Sequence, residues 1–279
     1  RSSDLEATLQ ALELGAVDFV PKPRLDSTAG IEAYRVEICD KVRCAFGARP
    51  RVPVAASPSP KPLLREPLGH VASTAGSESE RALHERLVLI GASTGGTEAI
   101  KEVLCSMPEH MPAILMVQHM PEMFTRSFAS RLDTLAALRV KEAEQGDVLK
   151  AGTVYIAPGH SHVLITASGG GLSLRLSDAP EVNRHRPSVD VLFRSAANVL
   201  GRAAIGVILT GMGRDGARGM AEMKQCGGYN LAQDEASCVV FGMPKESIAL
   251  GGVNEVLPLT NIAARLAALC EKRTTWPSH

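Results

Sequence analysis

Between residues 87 and 272, short apolar runs alternate with stretches of helical periodicity, and this alternation constrains the fold more than any other feature of the chain. Leu87-Val88-Leu89-Ile90 is apolar without a break, as expected of a strand buried on both faces. Ala113–Val117, Val154–Ala157 and Ala204–Leu209 share that character, and Tyr229–Ala232 behaves similarly apart from Asn230. Between several of these runs, Glu98–Ser106, Phe124–Leu138, Val189–Leu200 and Gly216–Cys226 read as helices. Strands alternating with such helices predict an α/β fold: a doubly wound, mainly parallel sheet with helices on both faces. Val163–Thr166 and Leu172–Leu176, joined by Ala167-Ser168-Gly169-Gly170-Gly171, read instead as an antiparallel hairpin.

The rest of the chain differs in kind. Residues 1–46 predict a helix over Leu5–Leu14 ended by Gly15, a short strand at Val17–Val20, and a second helix over Ile31–Phe46. One strand between two helices is too little to form a domain alone. Residues 47–86 hold six of the 17 prolines and no aromatic residue. That composition offers little apolar surface against chain entropy, so the segment reads as a flexible linker. It would let residues 1–46 detach from the domain at 87–272.

Thirty basic and thirty acidic residues balance to zero, which argues against a strongly basic nucleic-acid binder. No apolar run reaches the ~18 residues of a membrane-spanning helix, and no secretory apolar segment opens the chain. The six scattered cysteines lack any C-x-x-C pair, as in a reducing, cytoplasmic setting.

In open α/β sheets ligands bind beyond the carboxyl ends of the strands, so the residues after each apolar run matter most. Gly91-Ala92-Ser93-Thr94-Gly95-Gly96 follows the first run, Gln118-His119-Met120-Pro121 the second, and Thr210-Gly211-Met212-Gly213-Arg214-Asp215-Gly216 a third. Ser93, His119 and Asp215 thus stand at one end of three strands, as a nucleophile, its base and an orienting carboxylate require. Gly91-Ala92-Ser93-Thr94-Gly95 fits the G-x-S-x-G elbow, strand before and helix after. The blander reading makes Ser93 a helix cap.

His119 alone could be an ordinary strand-end histidine. His160 and His162, two apart, could form a metal pair, but no third ligand stands at a diagnostic spacing. Asp190, at a helix start, competes with Asp215 and is also explained by the helix dipole. The same glycine-rich loop supports a rival reading. Gly211, Gly213 and Gly216 follow a strand and open a helix, and Asp234 lies 23 positions after Gly211, which is a dinucleotide-binding layout. Asp215 would then place a carboxylate beside the pyrophosphate, which is electrostatically unfavourable. Spacing alone leaves both readings standing.

Six stretches together resemble the chemotaxis protein-glutamate methylesterases, the CheB family. They are Ile90–Ile100, Gln118–Pro121 followed by Phe124–Phe128, Tyr155–Gly159, Asn183–Phe193, Leu209–Gly213 and Ala236–Pro244, spread through residues 87–270. Ala11–Pro23 resembles the end of a response-regulator receiver, with Lys22 at the place of the phosphoryl-contacting lysine. The upstream strands and the phosphoacceptor aspartate have no counterpart in these residues, so the chain reads as a fragment or a truncated product.

The resemblance implies a serine esterase with Ser93 as nucleophile, His119 as base and Asp215 as its partner. Thr94 and Met212 would line the site, their amides being candidates for the oxyanion hole. It implies no cofactor and no metal. The substrates would be glutamyl γ-methyl esters, and glutamines to be deamidated, on cytoplasmic helices of chemoreceptors. A histidine kinase would be the family's phosphodonor, and the family's receiver covers the active site until phosphorylated. A receptor-binding module without chemistry is the remaining alternative, against which an intact Ser/His/Asp set speaks.

Overall fold

The computed structural model describes residues 7–20 apart from 9 and 13, residues 28–48, 86–168 and 171–271. Leu87–Ala92 forms strand β1, every residue of it buried. Val88, Ile90 and Ala92 join one apolar cluster, and Leu87 and Leu89 join another. This is the two-residue strand period with both faces covered, the condition of a central strand. β1 pairs in parallel with β2 (Ala113–Gln118) on one side and with β7 (Ala204–Ile208) on the other.

Beyond β2 lie β4 (Thr153–Ile156) and β3 (Arg139–Glu142), and beyond β7 lie β8 (Tyr229–Gln233) and β9 (Glu255–Leu257). The order is β3-β4-β2-β1-β7-β8-β9, and each neighbouring pair is parallel. The antiparallel hairpin forms a separate sheet of β5 (His162–Ser168) and β6 (Gly171–Ser177). Gly169 and Gly170 of its turn lie outside the described residues.

The chain winds one way from β1 to β2 and the other way from β7 to β8. The crevice beyond the ends of β1 and β7 is therefore the topological switch point, where open sheets of this kind hold their ligands.

Helices cover both faces, as predicted. Helices α2 (Gly96–Cys105), α3 (Glu122–Leu135) and α7 (Leu259–Glu271) pack with Val88 and Ile90. Helices α4 (Val189–Leu200), α5 (Ala217–Gln225) and α6 (Met243–Ala249), together with the hairpin, pack with Leu87 and Leu89. α4 runs over the predicted residues because Val189, Leu192, Phe193 and Ala196 form one apolar stripe. Strands β3 and β9 escaped the sequence reading. Both are short edge strands that open on a charged residue, so neither presents a long apolar run.

The N-terminal segment departs from expectation in two ways. Residues 16–20 are not a strand: among the described residues nothing pairs with their backbone in a ladder. Residues 7, 8 and 10–12 are helical as predicted, while Leu5 lies outside the described residues. A second helix, α1 (Thr28–Gly47), follows. Nor does the segment stand detached. Leu12 is 5% exposed within the cluster of α2 and α7, and the ring of Phe19 lies 4.5 Å from that of Phe124. Apolar burial offsets the freedom that the linker would allow. Residues 49–85, most of that linker, lie outside the described residues.

Candidate active site

Ser93 lies in the short turn between β1 and α2, half-buried. Its N–H donates to the Thr210 carbonyl at 3.0 Å, and its own carbonyl accepts from the Gly96 N–H at 2.7 Å. Gln118 Nε2 donates to the same carbonyl at 2.9 Å. Residues at the ends of β2 and β7 thus fix the backbone of Ser93. Two glycines make the turn possible. Gly95, with φ of +76°, is the N-cap of α2, and no side chain caps that helix. Ser93 is therefore not the helix cap of the blander reading. A Cβ on Gly211 would lie 2.8 Å from Ser93 Cβ, so that strand-end loop can approach the serine only without a side chain.

His119 directly follows β2, and its N–H continues the ladder to the Ala92 carbonyl at 3.1 Å. Its Nε2 donates to Asp215 Oδ2 at 2.9 Å. Asp215 is 1% exposed and receives four further donors. Ser188 Oγ and the Val189 N–H approach at 2.7 Å, Asn183 Nδ2 at 2.8 Å and the Asp190 N–H at 3.2 Å. Val189 and Asp190 open α4, so the carboxylate sits at a helix N-terminus, where free amides and the dipole favour negative charge. Burial alone would raise the pKa of Asp215. The bonds from His119, Asn183 and Ser188 outweigh it and hold the carboxyl well below its ordinary value.

An ionised Asp215 only accepts hydrogen bonds, so the proton of neutral His119 sits on Nε2. That leaves Nδ1 as the basic nitrogen. Nδ1 is buried and has no partner among the described residues. A buried acceptor left open is a cost unless something is meant to use it, and a nucleophile's proton is such a use. The His185 ring stacks on His119, with centroids 3.7 Å apart and planes 14° from parallel.

The other candidates separate clearly. Thr94 and Met212 belong to the turns after β1 and β7, flanking Ser93 and Gly211. Thr94 Oγ1 donates to Asp18 Oδ2 at 2.9 Å, which brings the N-terminal segment to the residue beside Ser93. Asp190 does not touch His119. It accepts from Asn183 Nδ2 at 2.7 Å and from the Gly219 N–H at 2.8 Å, tying α4 to α5.

His162 is buried and committed to structure, with Nε2 donating to the Pro180 carbonyl and Nδ1 accepting from the Ser188 N–H. His160 lies apart from it, 3.4 Å from Glu122. Among the described residues no group of three potential metal ligands comes together.

The dinucleotide layout also fails in space. The place at Gly211 where a pyrophosphate would approach is filled by the chain itself. Its N–H donates to the Val240 carbonyl, and its carbonyl accepts from Gly242 and Met243. Asp234 is committed to its own turn, where it accepts from the N–H and hydroxyl of Ser237.

Sequence reasoning passed over Asn183, His185, Ser188 and Gln118 as working residues. The signals were the polar cluster Asn183 to Arg186, shortly before a strongly apolar helix, and the place of these residues within the stretches that carry the resemblance.

Residues 88–266 match the family model described as CheB methylesterase. The protein-glutamate methylesterase/protein-glutamine glutaminase of Nitrosomonas europaea is 55% identical over 266 residues, covering 94% of this chain and 72% of that one. The counterpart from Geobacter metallireducens is 53% identical over 268 residues, with 95% and 72% covered. The crystal structure of the Thermotoga maritima CheB methylesterase catalytic domain superposes with a TM-score of 0.65 at 44% identity. It covers 66% of this chain and 98% of its own. A family model over most of the chain and relatives above 50% identity place it: the chain belongs to the CheB methylesterase family.

Proposed function

We propose that this chain is a protein-glutamate methylesterase and protein-glutamine glutaminase that acts on chemoreceptor helices on the cytoplasmic side of the membrane. Ser93 would serve as nucleophile, His119 as base and Asp215 as the group that fixes the base. The observation that carries this reading is the bond from His119 Nε2 to a buried, ionised Asp215, which leaves Nδ1 basic at the end of the strand next to Ser93.

The chemistry follows from that geometry. His119 Nδ1 takes the Ser93 proton as Oγ attacks the γ-carbonyl carbon of the glutamyl ester. The oxyanion that forms needs backbone donors, and the N–H groups of Thr94 and Met212 are the candidates. The Ser93 N–H is already given to Thr210, which removes it from the choice. Collapse breaks the ester C–O bond, and methanol leaves with the proton from His119. Water then loses a proton to His119 as it attacks the acyl-serine, releasing a glutamate carboxylate and restoring Ser93. With glutamine the first leaving group is ammonia. Each turnover leaves one negative charge on a receptor helix, enough to shift helix interactions by a few tenths of a kcal/mol per pair.

The N-terminal segment is read as the end of a receiver domain, for which a chemotaxis histidine kinase would be the phosphodonor. Among the described residues no helix is long and apolar enough to cross a membrane. The test is methanol release from receptor membranes carrying labelled methyl esters. Release proportional to enzyme supports the reading, and none from a folded protein contradicts it.

A further inference from the structure

We propose that His185 is a positioning residue, a flat plate that holds the ring of His119 in the plane linking Asp215 to Ser93. The inference rests on the reading of His119 as the base.

His119 is held at one nitrogen only. Its Nε2 is bonded to Asp215 while Nδ1 has no partner. Turning the ring about its Cβ–Cγ bond moves Nδ1, which lies further from that axis, more than Nε2, so one bond to Asp215 does not fix the direction in which Nδ1 points. A second ring at 3.7 Å, within 14° of parallel, blocks that rotation on one face.

The turn that carries His185 is built for a fixed position. Val182 and His185 exchange backbone hydrogen bonds at 3.1 and 3.0 Å around the two-residue loop Asn183-Arg184. Both loop residues have positive φ, 54° and 67°. That is the sign pattern of the tight primed hairpin turn, which here lacks glycine. Left-handed backbone at a residue such as Arg184 is strained, and it persists where the surroundings over-determine it. The same turn sends Asn183 to Asp215 and His185 to His119. One loop thus braces both members of the pair.

His185 is suited to this task because it stays neutral. Burial, and then the neighbouring His119, lower its pKa from 6.5 to about 3. It neither competes for the serine's proton nor repels His119 once that ring is charged. A neutral ring face instead attracts a cation stacked on it.

The experiment compares His185→Ala and His185→Phe with the wild type. Three quantities are read: kcat and KM for methanol release, the rate of Ser93 labelling by a fluorophosphonate, and Tm. His185→Ala should lower kcat on the order of 10–100-fold at nearly constant KM, because the base is misplaced rather than removed. Labelling should slow in parallel. His185→Phe restores a flat ring without nitrogens and should recover most of both losses. Should the alanine variant fail to fold, His185→Leu fills the space without a plate and should show the same loss.

Wild-type labelling and turnover in the alanine or leucine variant would overturn the proposal. So would a phenylalanine variant as slow as the alanine one at equal Tm, since the nitrogens of His185 would then matter. Failure of the esterase reading itself looks different, because the wild type would neither release methanol nor label at Ser93.

Discussion

Asp215 accepts the backbone N–H of Val189 at 2.7 Å, so one carboxylate both orients His119 and begins helix α4. Asp215→Asn should therefore do two things. The amide lets His119 adopt the wrong tautomer, and turnover should fall by up to ~10⁴-fold. It also turns a donor toward a site that receives five, which should lower stability by about 1–3 kcal/mol.

The pH dependence has a defined sign. The folded pKa of Asp215 lies below its ordinary 3.8, so its contribution is complete above that value and is lost as pH falls toward the folded value. Denaturant titrations should show the gap between wild type and Asp215→Asn narrowing below about pH 4. A gap that stays constant through that range would contradict the assignment.

Gly211→Ala tests how closely the loops are fitted. The new Cβ would meet Met243 Sδ at 2.3 Å and Ser93 Cβ at 2.8 Å. The methionine can move aside, but the serine turn is fixed by its backbone bonds. Displacing Ser93 by a fraction of an ångström should lower kcat by roughly 10²-fold. Gly146→Ala is the control, with φ of +81° and nothing within 4 Å of the new Cβ. It should cost about 1–2 kcal/mol of stability and leave kcat alone. Equal rates in the two variants would count against a serine held by Gly211.

Much of this site was legible in the sequence because its residues follow apolar runs directly. Ser93 stands one residue past β1, His119 one past β2, and Asp215 in the loop after β7, so a correct strand reading was enough to bring them together. Asn183, Ser188 and His185 were not legible in the same way. They come from a loop after the hairpin, and no period in the sequence says that a two-residue turn there folds back onto the sheet. The dinucleotide spacing was misleading for a related reason. Spacing cannot tell whether the space above a glycine is open, and here Met243 fills it. The strand expected at Val17–Val20 had the right side chains, but a strand is made by its neighbours, and among the described residues none pairs with it.

That segment carries the next prediction. Asp18 holds Thr94, next to Ser93, and Phe19 packs on Phe124 of α3, five residues beyond His119. Lys41 of α1 locks the pair by donating to Asp18 Oδ1 at 3.2 Å and to the Phe19 carbonyl at 2.6 Å. The segment thus bridges the turn that carries Ser93 and the helix that follows His119, where a receptor helix would have to dock. Asp18→Ala combined with Phe19→Ala should raise kcat/KM on receptor membranes several-fold, with a smaller effect on a small soluble ester. Unchanged kcat/KM on receptor would mean that the segment does not stand in the substrate's path.

The most direct measurement of the central claim is methanol release from methyl-labelled receptor membranes by the Ser93→Ala protein. The backbone bonds that fix the turn are made by the N–H and carbonyl of residue 93, so the variant should keep its fold and its Tm within a few degrees. Loss of the nucleophile should cut release on the order of 10⁴-fold or more, with receptor binding retained. Release at a rate near that of the wild type, from a folded Ser93→Ala protein, would contradict a serine mechanism outright.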